Sequence, residues 1–306
     1  MIRYVAKKAL YALPSLWLIV TMVFLLAHIV PGDPVQQMLG EGARAEDLQQ
    51  LRHQLGLDMP ILAQYRRYLA GIAHGDLGES FRFQQPVARV ILSRYPATLE
   101  LAFVALLVCA AIAIPAGLFA AEKPGTPADH AVGVFTLLGL SVPNFALGPV
   151  LILIFSVIFG WLPVSGRGGV SHLILPAITL GAALAAILTR MVRIAVIEEL
   201  SSDYVRAARA KGLRPYQVLF RHAFRNALIP VLTILGLQFG TLLAGAIVTE
   251  TIFSWPGIGR LAVQAIGARD YPLLQGCILF IAVSYVVVNL LTDAVYALVD
   301  PRVRLA

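Results

Sequence analysis

Long stretches without a charged residue recur along this chain of 306 residues and limit the surroundings in which it can fold. Each stretch holds the roughly 20 helical residues that cross the hydrocarbon core of a bilayer. They cover residues 9–40, interrupted only by Asp33, and residues 101–121, 131–166, 168–189, 227–249 and 271–292. Charged residues make up 13% of the chain, against about a quarter in soluble domains. The pattern predicts an all-α integral membrane protein and excludes a soluble catalyst.

The stretch 131–166 is too long for one straight crossing and too short for two crossings joined by a turn. It contains the sequence SVPN at 141–144 and also Pro149. Proline breaks or kinks a helix because it lacks an N–H and clashes with the preceding turn. We predict one span here, with breaks at 141–144 and at Pro149, and six spans in total.

The first apolar stretch follows the basic sequence MIRYVAKK, as in a secretory signal peptide. Its apolar run continues to Val30, however, and AHIVPGDP contains no small-x-small cleavage site. We therefore predict a retained membrane anchor. Cys109 and Cys277 lie within predicted spans and far apart in sequence, so we expect packed thiols rather than metal ligands or a disulfide.

Basic residues are distributed unevenly between the segments that connect the spans. With the N-terminus in the cytoplasm, the cytoplasmic segments contain fourteen basic and seven acidic residues, whereas the outer segments contain ten basic and nine acidic ones. Short cytoplasmic loops collect Lys and Arg, and the basic ends MIRYVAKK and DPRVRLA agree with an even number of spans. We predict a multi-pass membrane protein with both termini in the cytoplasm.

The most basic cytoplasmic loop is SSDYVRAARAKGLRPYQVLFRHAFRNALIP at 201–230. Ser202 or Asp203 suits the N-cap of a short helix over 204–211, and Gly212 suits its left-handed end. Pro215 suits the first turn of a second helix, which we expect to reach residue 226 before a span that begins near residue 229. The loop is explained either by topology and anionic lipid or by docking of another protein.

The pattern of the first helix favours docking. A helical wheel places Tyr204, Ala207 and Ala208 on one face, with Lys211 at its end. Small residues allow a partner to approach closely, and flanking arginines suit acidic or carbonyl groups. Contact with lipid alone would favour bulky apolar residues at these positions.

The pair Ala207-Ala208, followed by Gly212 and then Ile229-Pro230, resembles the cytoplasmic alanine-alanine-glycine signature of ABC importer permeases. The form YVRAARAKGL is typical of the dipeptide, oligopeptide, glutathione and nickel branch. Arg206 stands where the signature usually begins with Glu, so a contact made by that Glu is not expected here. Further blocks that resemble the first of two paired permeases cover nearly the whole chain: HIVPGDP (28–34), LGLDMPILAQYRRYLAGIAHGDLGESF (55–81), PATLELA (96–102), SVPNFALG (141–148), WLPVSG (161–166), LRPYQVLFRHAFRNALIPVLT (213–233), FSWPGIGR (253–260), RDYPLLQG (269–276) and DPRVR (300–304).

The resemblance implies a type I ABC importer permease fold with six transmembrane helices and a small helical extracytoplasmic subdomain after the first. Residues 1–30 would form the cytoplasmic N-terminus and first helix, 31–97 the outer segment, 98–300 the permease core and 301–306 a cytoplasmic tail. A coupling region would occupy 190–226. EDLQQLRHQLGL and PILAQYRRYLAGIAHG have helical apolar spacing and end near glycine, so we expect helices in the outer segment.

By the same resemblance, the chain is the non-catalytic permease subunit of an importer for di- or oligopeptides, with glutathione or nickel as alternatives. Its partners would be a homologous second permease, two cytoplasmic ATPase subunits, an extracytoplasmic solute-binding protein and membrane lipid, with no nucleic acid. The sequence has no Gly-Lys dipeptide and hence no Walker A loop, so ATP and Mg would bind to the partner ATPases and this chain would carry no cofactor.

Candidate residues fall into three groups. The ATPase-coupling residues are Asp203, Tyr204, Arg206, Ala207, Ala208, Arg209, Lys211 and Gly212. The helix-packing residues are Gly236, Gly240 and Ala244, which pack either within this subunit or against the second permease. The substrate-pathway candidates are Ser141, Pro143, Asn144, Glu250 and Asp293.

The pathway candidates have structural explanations as well. Ser141, Pro143 and Asn144 mark either a path or a helix kink, and Glu250 and Asp293 either bind cationic groups or pair structurally. His53 and His74 fit no compact metal motif. The alternative class is an ATP-independent secondary transporter or channel, against which the chain shows no visible repeat and few ionisable residues within its spans.

Overall fold

The computed structural model describes residues 2–29, 33–40 and 42–299, which form helices and loops without a β-strand. The predicted tail at 301–306 and the predicted boundary between residues 30 and 31 lie outside the described residues. The α-helices are α1 (Ile2–Ile29), α2 (Pro34–Leu39), α3 (Ala45–Leu55), α4 (Ile61–Ala73), α5 (Val87–Glu122), α6 (Pro127–Ser141), α7 (Asn144–Leu151), α8 (Val170–Leu200), α9 (Asp203–Ala210), α10 (Pro215–Gln217), α11 (Arg225–Gly245), α12 (Ile247–Ile252), α13 (Ile258–Gly267) and α14 (Tyr271–Val299). Two π-helical segments, Ile152–Ile158 and Val218–Phe224, follow α7 and α10.

Four helical stretches of the described chain are long and apolar enough to cross a membrane: Val87–Glu122, Val170–Leu200, Pro215–Ala244 and Tyr271–Val295. Two shorter apolar segments, Leu10–Leu26 and Phe145–Ile158, lie where the first and third spans are predicted. The all-α membrane fold is therefore confirmed, whereas the count of six spans stays a prediction.

The third predicted span is broken between α6 and α7, as the sequence indicates. Val142 is extended, with φ −86° and ψ 114°, because the ring of Pro143 disfavours a helical conformation at the preceding residue. The expected break at Pro149 is wrong: this residue lies inside α7, and the helix continues beyond it as a π-helical segment. A proline within a helix removes one hydrogen bond and can kink the helix without ending it.

The second helix after Gly212 also differs from the prediction. α10, the π-helical segment Val218–Phe224 and α11 follow one another without a gap, so no separate boundary occurs near residue 229. Pro230 lies inside α11. The polar second half of the stretch 201–230 is therefore the beginning of the spanning helix Pro215–Ala244 itself, rather than a helix that precedes it.

The core is built around α5 and α8, whose small residues allow close packing. A Cβ atom added to Gly181 would lie 2.6 Å from the Ala105 carbonyl oxygen, and one added to Gly117 would lie 2.7 Å from the Val192 Cβ. Backbones approach this closely only where side chains are absent or small. Cys109 is buried in this core and Cys277 in another apolar cluster, and both thiols are free, which confirms the expectation of packed thiols.

The outer segment is helical, as predicted, and it rests on the C-terminal half of α1. The Tyr65 and Thr21 hydroxyls are 2.6 Å apart, and Gln64 Oε1 lies 3.0 Å from His28 Nε2. α3 ends at Gly56, whose φ of 70° is left-handed. These contacts hold a small set of helices against the end of the spanning bundle at which α1 ends and α14 begins.

Candidate functional site

α9 is a short helix at the opposite end of the bundle, between α8 and α10. Its eight residues are too few for an isolated helix to be stable in water, so it depends on contacts with its own subunit. Val205 and Ala208 are buried and form that contact, against the end of α8 and the π-helical segment Val218–Phe224. They lie three residues apart and therefore on one face.

The exposed face of α9 differs from the predicted one by one residue. Ala208 was expected on the docking surface, but it is only 6% exposed and faces its own subunit, so this expectation is wrong. A short helix is held by burying its apolar side chains, and the only large apolar side chain facing the subunit here is Val205. Ala208, three residues later on the same face, is buried with it. The exposed residues are Asp203, Tyr204, Arg206, Ala207, Arg209, Ala210 and Lys211.

The exposed face is basic and contains two small residues, Ala207 and Ala210. Arg206 pairs at 3.1 Å with Asp203, which lies about one helical turn before it. Both side chains are exposed, so this ion pair contributes little stability. Among the described residues, Arg209 and Lys211 have no ion-pair partner. The helix therefore presents uncompensated positive charge beside two alanine side chains, which suits an acidic or carbonyl-rich partner surface.

Gly212 ends this helix as the sequence predicts. Its φ is 79°, and a Cβ atom there would meet nothing within 4 Å. The left-handed conformation, rather than crowding, is the reason for glycine. The N-terminal cap is only partly as expected, since Ser202 occupies the cap position but its hydroxyl donates to the Glu199 carbonyl instead of accepting from the helix.

Tyr204 joins α9 to both neighbouring spans. Its hydroxyl donates to the carboxylate of Glu199, at the end of α8, and accepts a hydrogen bond of 2.9 Å from Asn226 Nδ2, at the beginning of α11. Burial, followed by the hydrogen bond to Glu199, raises the pKa of Tyr204. Glu199 and Asn226 could not be predicted as partners of Tyr204 from the sequence, because they lie 5 and 22 residues away and carry no local signal.

An ion pair near the same end of the bundle was also missed. Arg193 on α8 donates two hydrogen bonds of 2.6 Å to Asp129 on α6, and the Gly125 N–H donates a third of 2.9 Å. The Arg193 side chain, and then the Gly125 N–H, lower the pKa of Asp129 to about 2. Thr126 and Pro127 signal the beginning of α6 in the sequence, but the partner 64 residues away does not follow from them.

The predicted helix-packing glycines contact α14 of the same chain. A Cβ atom on Gly236 would overlap the Thr292 side chain, and one on Gly240 would lie 3.2 Å from the Tyr285 ring. The glycines thus pack within the subunit, which was one of the two alternatives. Because residue 236 meets 292 and residue 240 meets 285, α11 and α14 run antiparallel. Ala244 lies farther along α11 and is half-buried.

The pathway candidates are not brought together. Ser141 is exposed, with its hydroxyl donating to the Leu137 carbonyl, and it lies with Pro143 at the break, while Asn144 begins α7. Glu250 is fully buried, where its carboxylate accepts from the Thr98 hydroxyl and the Arg260 N–H. These partners favour the structural alternative for Glu250.

Asp293 lies near the other end of the bundle from Glu250. Its carboxylate pairs with Lys8 Nζ at 2.6 Å. This contact joins the beginning of α1 to the last turns of α14. The contact favours structural pairing here too. No group of three or more His, Cys, Asp or Glu residues could hold a metal ion within the described ranges, and His53 instead contacts Asp58 at 2.6 Å.

A concave surface lies where the outer helices meet α1 and the first turn of α14. This cavity of about 1040 Å³ is lined by mixed polar and apolar side chains, among them His28, Gln64, Arg67 and Tyr68. The Tyr68 hydroxyl has no hydrogen-bond partner in the described part of the chain, and burial raises its pKa to about 12. The apolar spacing of the sequence predicts the outer helices but not this cavity between them.

Comparison with known proteins gives consistent matches over the whole length. The profile of the family described as binding-protein-dependent transport system inner membrane component matches residues 113–305, and its N-terminal companion matches residues 1–102. The di/tripeptide transport system permease protein DppB of Pseudomonas aeruginosa (strain UCBPP-PA14) is 44% identical over 99% of both chains. The glutathione transport system permease protein GsiC of Escherichia coli (strain K12) is 42% identical, also over 99% of both.

Solved structures agree in fold. An inward-facing structure of the MetNI methionine ABC transporter superimposes with a TM-score of 0.59 at 19% identity and covers 70% of this chain and 97% of that one. The crystal structure of an amino acid ABC transporter with histidines gives a TM-score of 0.52 at 18% identity, covering 70% and 94%. The expected type I importer fold is thereby confirmed. This chain belongs to the binding-protein-dependent transport system inner membrane component family, and it is a non-catalytic, multi-pass permease subunit of an ABC importer in which partner subunits hydrolyse ATP.

Proposed function

We propose that this permease forms, with a homologous second permease, the membrane pathway for di- and oligopeptides delivered by a solute-binding protein, and that α9 docks on a partner ATPase. The observation that carries the proposal is the exposed face of α9, held at the junction of two spanning helices. This face contains Ala207 together with Arg209 and Lys211, which have no ion-pair partner within the described ranges. ATP and Mg would bind to two partner ATPases, and this chain would carry neither.

The substrate class rests on the relatives. One is named for di- and tripeptide transport and another for glutathione transport. Glutathione is itself a modified tripeptide, so both names point to short peptides, with glutathione kept as the second candidate. The buried, internally bonded state of Glu250 and the pairing of Asp293 with Lys8 argue against either acid serving as a substrate ligand in the pathway. The exposed break at Ser141 and Pro143 stays the pathway candidate.

The proposed orientation places both termini and α9 in the cytoplasm. It is supported by the antiparallel packing of α11 on α14, which brings the end of α14 to the side where α11 begins. The pairing of Lys8 with Asp293 adds the beginning of α1 to the same side. Within this arrangement the domains are 1–30, 31–97, 98–300 and 301–306, with coupling through 190–226.

The outer segment is proposed to face the solute-binding protein. Support comes from its position at the end of the bundle opposite α9 and from the cavity of about 1040 Å³ that it forms with α1 and α14. The cavity gives a protruding partner element a concave surface lined by polar side chains such as Gln64 and Arg67.

The test is purification of the tagged chain from its native cells in mild detergent, followed by mass spectrometry of the proteins that copurify. We expect a homologous permease and one or two ATPases with a Walker A sequence. Repeated recovery of the folded chain alone would contradict the proposed assembly with a second permease and ATPases. Uptake of labelled dipeptide and of labelled glutathione by cells with and without the gene then separates the two substrates.

A further inference from the structure

A hydrogen-bonded node, made of Tyr204, Glu199 and Asn226, connects α9 to the helices on both sides of it. The Tyr204 hydroxyl donates a hydrogen bond to Glu199 on α8 and accepts one of 2.9 Å from Asn226 on α11. The same oxygen lies 3.4 Å from the His222 carbonyl, in the π-helical segment that begins the fifth span. One side chain of α9 thus contacts both neighbouring helices through directional bonds.

Packing alone does not fix how α9 is oriented. Its buried side chains, Val205 and Ala208, are small and form a narrow stripe, about which a short helix can rotate. Most of the Tyr204 hydroxyl's neighbours are polar, and the side chain is 39% exposed, so its contribution comes less from apolar burial than from its hydrogen bonds. The node therefore supplies the directional contact that the apolar stripe lacks.

We propose that Tyr204 is the positioning residue that transmits a displacement of α9 to the spanning helices. The inference rests on the proposed docking of α9 on an ATPase and deepens it by separating two tasks. Ala207 and its exposed neighbours hold the partner, whereas the Tyr204 hydroxyl holds α8 and α11 in register with α9. A movement of the ATPases reaches the membrane only while both tasks are performed.

The experiment uses the complete importer, with its second permease, ATPases and binding protein, in proteoliposomes. The variant is Tyr204→Phe, which removes the hydroxyl and keeps the ring, and the probe is labelled alanyl-alanine. We expect the ATPases to copurify as with the wild type, while peptide imported per ATP hydrolysed falls about tenfold, as the loss of one or two hydrogen bonds implies.

Tyr95→Phe is the matched control. Tyr95 lies on α5, outside the coupling region 190–226, packs edge-on against the Phe280 ring, and has no hydrogen-bond partner among the described residues. Removal of this hydroxyl should leave the peptide imported per ATP unchanged. A merely structural role of Tyr204 would lower the yield or the thermal stability of the complex without changing this ratio.

Two variants on the other side of the node keep the test decisive if Tyr204→Phe does not assemble. Asn226→Ala and Glu199→Ala each remove one partner of the Tyr204 hydroxyl and should each lower import per ATP. In a double-mutant cycle, adding Asn226→Ala to Tyr204→Phe should scarcely lower import per ATP further, because Tyr204→Phe already removes the bond that Asn226 donates.

The outcomes separate this inference from the proposed function. If the wild type retains ATPases and the variants of the node import within about twofold of its ratio, the transmission role is wrong and docking stands. In another outcome, Tyr204→Phe retains fewer ATPases, but the complexes that keep them import as much peptide per ATP as the wild type. Tyr204 then contributes to docking, and the transmission role is again wrong. If the wild type itself never retains ATPases, the proposed function fails, and the inference fails with it.

Discussion

Replacement of Gly212 by alanine isolates the geometry of the turn after α9 from every other property of the site. Gly212 has φ 79° and open space around a Cβ atom, so the substitution adds backbone strain and no steric clash. The left-handed conformation costs an L-residue about 1–2 kcal/mol. If the chain relieves this strain by changing the direction in which it leaves α9, the docking orientation becomes less populated by about fivefold to thirtyfold, since 1.4 kcal/mol corresponds to about tenfold.

The assay is titration of the purified ATPases against the permease pair in nanodiscs, with uptake in proteoliposomes as the second measurement. Gly125→Ala is the control, because Gly125 has φ 78° and equally open surroundings in the loop between α5 and α6. We expect both variants to lose similar stability and only Gly212→Ala to lose ATPase affinity. Gly212→Pro should lose more, because proline fixes φ near about −65°. Equal ATPase affinities for the two alanine variants would refute the reasoning.

Three further changes have defined outcomes. Ala207→Trp adds a bulky group to an exposed position of α9, so the complex should fold normally and fail to retain ATPases on purification. Gly181→Ala places a Cβ atom 2.6 Å from a carbonyl oxygen of α5 and should destabilise the subunit by about 1–3 kcal/mol, measured by thermal unfolding. Gly133→Ala is the control and should not destabilise it, because no atom lies within 4 Å of the added Cβ. The pKa of Asp129 is lowered from 3.8 to about 2, so its ion pair with Arg193 stabilises the folded state above about pH 4 and this stabilisation is lost toward pH 2. Asp129→Asn should remove that part of the acid dependence of the melting temperature.

Much of the fold follows from local chemistry that the sequence displays. Apolar run lengths predict the long helices, the proline after Val142 predicts the break before α7, and Gly212 predicts the end of α9. Each of these features is decided by residues within one or two helical turns. The error at Pro149 has the same origin, since local rules say that proline disturbs a helix but not whether the helix continues beyond it.

The candidate site depends on choices that are not local. A helical wheel groups Ala208 with Tyr204 and Ala207, yet the rest of the subunit decides which face is buried, and it buries Val205 with Ala208. Glu199 and Asn226 become visible as partners of Tyr204 only when α8 and α11 converge on α9. The spacing of Gly236 and Gly240 likewise predicts close packing without naming the partner helix, which is α14.

The short connections between α9 and the spanning helices determine which helices a displacement of α9 moves. Only residues 211–214 separate α9 from α10, and from Pro215 the helix continues to Ala244 as one apolar span. A displacement of α9 that is held by Tyr204 must therefore tilt the whole of this helix or be absorbed in its π-helical segment. The close contact of Gly236 with Thr292 leaves no room for α11 to slide past α14, so a tilt of α11 carries α14 with it. Asp293, through Lys8, extends the moving unit to α1, which makes rigid-body rotation of these helices the motion that the packing favours.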